Sequence, residues 1–370
     1  MRVAAALAAV LLASGCIGNP DPPDQDKPAA FAQLEAFSAR MLEEGAPAVL
    51  IEVKYGGRTW THAAGVRSLD SKEPAAVSDP IHAGTITESL AAVSVLKLVE
   101  EGRISLDGQV TSYLPDVARI LHPPGPVTVR QLLSHESGVP DFTLPLLASG
   151  PWEQATGQRL DLERQLALAG SVPWRGRLAQ VFDYSRTDYS VLALLVERLR
   201  GRPFREVLAS DVTRPLGLAA TRLDGGTPPR SMLHGYVTVN GERMDVTQRP
   251  WLADNASAGA VSTVQEINTF YAALLQGKLL APETVQQMQA GYQLFYGYAL
   301  RRWNNTCNNR FYYGLPGDTD GYGTVAATSE DGRKQLAMTV AYPPAPPTLE
   351  ANPLILEIQD AALAALNSLC

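Results

Sequence analysis

Residues 86–99 read Ile-Thr-Glu-Ser-Leu-Ala-Ala-Val-Ser-Val-Leu-Lys-Leu-Val, with Leu90, Val93, Leu96 and Val99 at helical spacing and further apolar residues between them. An apolar surface this broad predicts a helix buried on most of its sides, opened by Thr85 and ended by Gly102. The remainder of the chain has to supply what covers it.

Strand signals lie at the two ends of the sequence. Residues 31–44 read as a first helix, and residues 48–55 and 58–66 as two strands joined at Gly56-Gly57. Near the other end, residues 322–328 and 335–342 read as a hairpin turning at Asp331-Gly332, followed by a last helix over residues 354–366. Strands at both ends with helices between predict an α/β (α+β) chain: one antiparallel sheet built from N- and C-terminal segments, helices on its faces, and a mostly helical lobe inserted between them. With 370 residues and 45% hydrophobic content, the chain can build one large core or two fused lobes. The net charge of −7 is interspersed, with no basic patch, which argues against nucleic acid as a partner. The five histidines are scattered without metal-ligand spacing, so neither a metal nor another cofactor is expected.

Residues 1–16 carry one Arg, an apolar run over 3–12 and the ending Ala13-Ser14-Gly15-Cys16, the pattern of a secretion signal too short to remain as a membrane span. The ending resembles a bacterial lipobox, in which Cys16 would be lipidated; an ordinary signal peptide cut nearby is the alternative. Pro20, Pro22, Pro23 and Pro28 make the following stretch an extended tether. The expected division is a signal peptide over 1–15, a tether over 16–29 and one domain over 30–370, placed outside the cytoplasm and anchored by lipid to the cell membrane, or else secreted. Of three cysteines in an exported chain one is left over, and the lipobox gives Cys16 a use.

The stretch IHAGTITESLAAVSVLKLVEEGRISLDGQVTSYLP, together with VTVRQLLSHESGVPDF, YSVLALLVERLRGRPFREVL, RPLGLAATRL and ASAGAVSTVQEINTFYAALLQGKLL, resembles the serine β-lactamase and DD-peptidase family. The likeness is strongest to D-alanyl-D-alanine carboxypeptidases and class C β-lactamases and runs over about residues 30–370. It implies a β-lactamase/transpeptidase-like fold. It also implies a disulfide between Cys307 and Cys370, which would tie the last helix to the sheet and contribute ~2–4 kcal/mol.

The resemblance brings three catalytic stations, each altered here. Where the family has Ser-x-x-Lys, this chain has Thr85-x-x-Glu88. A literal Ser94-x-x-Lys97 lies more than two turns into the helix, away from the free N–H groups of its start, and reads as a decoy. Thr85 and Glu88 also fit a capping box, Thr85 capping the first turn and Glu88 reaching back. Where the family has Tyr-x-Asn, the chain has Tyr184-Ser185-Arg186, and the paired changes predict that Arg186 takes Glu88 as a bidentate partner. Where the family has Lys-Thr-Gly or His-Thr-Gly, the chain has Leu315-Pro316-Gly317, so the cation and hydroxyl that hold a substrate carboxylate are absent from that motif. Pro316 removes an N–H, which a strand tolerates only at an edge. The N–H of Asp318 takes the place that completes an oxyanion hole in the family, while its carboxylate would oppose an anionic substrate. Gly317 and Gly321 match the family, and His135 reads as a packing or hydrogen-bonding residue rather than a base.

Loss of a general base typically costs 10²–10⁴ in rate and damage to an oxyanion site a further 10²–10³. The expectation is an exported homologue without the family's serine hydrolase activity, acting as a binding or regulatory protein of the cell envelope. The resemblance implies a peptidoglycan-type peptide or another envelope ligand as its partner. The alternative is a hydrolase or acyltransferase of changed chemistry, with Thr85 as nucleophile, Tyr184 or Glu88 as base and Arg186 as anion site. A purely structural accessory role is a third reading.

Overall fold

The computed structural model describes residues 28–174, 181–223, 229, 231–290 and 295–370, so Cys16, the signal segment and all but the end of the tether lie outside the described residues. The two ends of the chain meet in one antiparallel sheet of strands β1 (Ala48–Tyr55), β2 (Arg58–Gly65), β3 (Arg301–Asn305), β4 (Arg310–Gly314), β5 (Pro316–Thr319), β6 (Tyr322–Ser329) and β7 (Gln335–Ala341). Their order is β2-β1-β7-β6-β4-β3, with β5 pairing β6. Val49 faces Val340 across β1 and β7, and Tyr322 faces Ala341 across β6 and β7. The first hairpin turns at Gly56 and Gly57, both at positive φ (54° and 77°), the backbone that a tight two-residue turn demands.

Strand β1 is apolar on both faces because both are covered. Val49, Ile51 and Val53 join a core with helices α1 (Ala29–Glu43) and α5 (Leu354–Ser368), whereas Ala48 and Leu50 join a second core on the opposite face. That second core contains α2 (Ile86–Glu100), α3 (Arg186–Arg200) and α4 (Val264–Leu275). Helix α2 is its axis, with every residue from Ile86 to Leu96 buried, as the breadth of its apolar surface predicted. The inserted lobe is mostly helical, and it also carries a small sheet of Ile81–His82, Ala260–Ser262 and Arg222–Leu223 that the sequence did not announce. These strands have two or three residues each, too few to show a period of two.

Cys307, in the turn between β3 and β4, is bonded to Cys370 just beyond α5, with 5.3 Å between the Cα atoms. The bond fixes the last helix to the far edge of the sheet, as the resemblance implied.

Candidate active site

The start of α2 and strand β5 are packed backbone to backbone, and two glycines allow it. A Cβ on Gly317 would fall 2.2 Å from the carbonyl oxygen of Ala83, and one on Gly84 would fall 2.9 Å from the backbone of Asp318. This contact brings Thr85, Leu315, Pro316 and Asp318 onto one cavity of about 320 Å³, to which the segment leading into α3 adds Tyr184 and α3 itself adds its first residue, Arg186. Six of the residues singled out from the sequence thus share a single space. Glu88 and Gly317 lie behind its wall.

Thr85 does not cap its helix. Its own φ and ψ (−57°, −15°) are already helical, and its side chain makes no capping hydrogen bond, because a capping hydroxyl needs extended backbone at that position. The capping-box expectation therefore fails. The Thr85 hydroxyl instead faces the cavity with no hydrogen-bond partner among the described residues.

Glu88 turns inward and is fully buried. One carboxylate oxygen accepts from Ser257 Oγ at 2.6 Å and Tyr184 Oη at 3.1 Å; the other accepts from His135 Nε2 at 3.1 Å and Tyr296 Oη at 3.3 Å. Four donors from four separate segments satisfy a charge that would be very costly to bury alone. Tyr184 and Tyr296 also line the cavity, so the carboxylate stands behind two phenol groups.

The expected pair of Glu88 with Arg186 is not formed. Arg186 contacts Asp141 at 3.4 Å and lies over the ring of Tyr184, 5.5 Å from its centroid. Glu88 takes His135 in its place, and the other imidazole nitrogen, Nδ1, meets Asp188 Oδ2 at 2.9 Å. Asp188 also accepts from Ser137. Burial alone would push the His135 pKa down, but Glu88 and the hydrogen bond to Asp188 outweigh it and raise the value to about 10. His135 is thus an imidazolium held between two carboxylates, at φ +55°, a backbone that non-glycine residues seldom adopt.

Burial, and then the negative charge of Glu88, push the Tyr184 phenol well above its ordinary pKa, so a tyrosinate base is not accessible near neutrality. The carboxyl of Asp318 is pushed up to about 6 by burial, and its oxygens accept from Tyr342 Oη at 2.6 Å and the N–H of Asn352 at 3.2 Å. Leu315 is buried and presents a methyl-bearing wall where the family's cation would stand. Ser94 is fully buried with no hydrogen-bond partner among the described residues, and neither it nor Lys97 lines this cavity. Among the described residues no group of three or more His, Cys, Asp or Glu side chains could hold a metal ion.

Sequence reasoning missed Ser257, Tyr296 and Arg301. Ser257 lies in the matched stretch beginning at Ala256, yet nothing local marks it as a Glu88 ligand. Tyr296 and Arg301 reach the cavity from just before and at the start of β3, and only the folded chain brings them there.

Comparison with known proteins agrees with this geometry. The family model described as Beta-lactamase matches residues 32–360, and the chain belongs to that family. Among curated relatives, it is 27% identical over 214 residues to esterase EstB of Burkholderia gladioli, covering 55% of this chain and 54% of that protein. It is 25% identical over 173 residues to penicillin-binding protein 4* of Bacillus subtilis, covering 45% of this chain and 36% of the other. The matches therefore span about half or less of these relatives' lengths. Among solved structures, a D-stereospecific amidohydrolase from Streptomyces sp. superposes with a TM-score of 0.75 at 27% identity, over 86% of this chain and 95% of the other. The D-amino acid amidase from Ochrobactrum anthropi SV3, complexed with L-phenylalanine, gives 0.77 at 21% identity over 91% and 98%, a likeness of fold.

Proposed function

We propose that this chain is a binding or regulatory member of the Beta-lactamase family that has given up the family's serine hydrolase chemistry. The observation that carries the reading is Glu88. At the position where the resemblance expects a neutralisable amine stands a buried carboxylate whose two oxygens already accept four hydrogen bonds, so it has no free lone pair directed at Thr85. Tyr184, the other candidate base, holds its proton far above neutral pH. Among the described residues the Thr85 hydroxyl is left without a partner to deprotonate it.

The same reading places the protein in the cell envelope, exported and held by a lipid on Cys16, with a peptidoglycan-type peptide or another envelope molecule as its ligand. Cys16→Ser should then move the protein from the membrane fraction to the soluble fraction, and unchanged partitioning would refute the anchor.

The second reading is a hydrolase or acyltransferase with Thr85 as nucleophile. In its favour, the Thr85 hydroxyl opens on a cavity large enough for a small substrate. Intact-protein mass spectrometry after exposure to a fluorescent penicillin and to a fluorophosphonate separates the two. No adduct is expected with either probe; a stoichiometric adduct that disappears in Thr85→Ala would put the enzyme first.

A further inference from the structure

Arg301 is a half-buried cation that lines the cavity and has no acidic partner among the described residues. Its guanidinium lies over the ring of Trp303, 6.0 Å from the centroid. The other cation of the cavity, Arg186, is already engaged with Asp141. A guanidinium brought out of bulk water without a counter-ion is costly, and the cost is recovered when an anion arrives. Burial accordingly pulls the Arg301 pKa below its ordinary value.

Part of the lining is apolar and comes from one segment. Leu349, Ile355 and Leu356 line the cavity, and Leu349 and Leu356 are also 48% and 55% exposed. Phe182, Tyr296 and Leu315 extend the apolar lining inward. At roughly 30 Å³ for each water-sized group, the cavity has room for about ten such groups. The remaining charged groups of the lining are engaged, Arg186 with Asp141 and Asp318 with Tyr342 and Asn352, so one unpaired guanidinium beside a largely apolar wall selects a ligand with one charged end and one greasy body.

The geometry points to a monocarboxylate with an apolar tail, its carboxylate on Arg301 and its tail against Leu349, Ile355 and Leu356, as the ligand of this cavity. The anchor lies on β3, outside the Leu315-Pro316-Gly317 motif whose cation is missing. This assignment rests on the non-catalytic reading in one respect: the carboxylate is held and released unchanged.

The test is isothermal titration calorimetry of the full purified chain with decanoate, 4-phenylbutanoate, decanol, decylamine and acetate. Both carboxylates with tails should bind, and decanoate at least about tenfold more tightly than decanol, decylamine or acetate. The ratio between decanoate and 4-phenylbutanoate decides between an acyl-chain and an aryl source. Arg301→Gln should weaken decanoate about tenfold or more and leave decanol unchanged, whereas Leu356→Ser should weaken both. Equal binding of the three decyl head groups, decanoate no tighter than acetate, or full decanoate affinity in Arg301→Gln would overturn the proposal. The head-group series needs only the unaltered protein and stands even where a variant fails to fold. Covalent labelling of Thr85 would refute the non-catalytic reading and leave the binding series to be judged separately.

Discussion

His135 Nε2 lies 3.1 Å from Glu88 Oε2, and neither side chain has any exposed surface. Through Nδ1 the same imidazole reaches Asp188, so α2 and α3 are joined by a buried carboxylate–imidazolium–carboxylate chain directly behind the cavity. Breaking such a chain strands a charge, which costs far more than the net contribution of the intact pair.

Glu88→Gln keeps the shape and removes the charge. The amide NH2 of glutamine would point at two of the four present donors, so urea unfolding should show a loss of about 3–5 kcal/mol. Glu88→Lys, which restores the family's residue, should be worse, because it sets an ammonium against an imidazolium and three hydroxyls; a cooperative unfolding transition close to that of the unaltered chain would refute this account of the buried chain.

Stability should fall as the solution is made alkaline. In the unfolded chain histidine titrates near 6.5, while in the folded protein His135 titrates near 10, so between these values the native state binds the extra proton. The contribution is fully present below pH 6.5 and is lost on the way to pH 10. Unfolding free energies measured from pH 6 to pH 10 should decline, less steeply in a His135→Gln variant. Nitrogen NMR of the imidazole gives a direct check: signals of the neutral ring at pH 8 would contradict it.

Gly317→Ala adds a single methyl group, yet it places a carbon against the Ala83 carbonyl. The start of α2 and β5 would have to separate, with a cost of about 1–3 kcal/mol. The measurement is a thermal melt together with decanoate binding, since the same contact sets the cavity. An unchanged melting temperature would mean that the two backbones are free to move apart.

The parts of this fold that could be read in the sequence are those specified by neighbours along the chain. Periodicity locates α2, the turn residues Gly56-Gly57 and Asp331-Gly332 locate both hairpins, and the resemblance implies the bond between Cys307 and Cys370. The electrostatics of the site could not be read in this way. The spacing of Thr85 and Glu88 described two positions on one helix face, but Glu88 is satisfied by His135, Tyr184, Ser257 and Tyr296, which only tertiary structure assembles. The joint departure of Arg186 and Glu88 from the family pattern suggests that they pair; the folded chain offers each a better partner, Asp141 for one and His135 for the other.

The sheet imposes an order of assembly. Strand β1 has one partner in its own hairpin and the other, β7, near the opposite terminus. A ribosome therefore releases almost the whole polypeptide before the second edge of β1 can be paired, and until then an apolar strand offers its open backbone to any other chain. A nascent or truncated chain that stops anywhere before residue 335 keeps that edge permanently, which makes the last hairpin the step that separates a soluble product from an aggregating one.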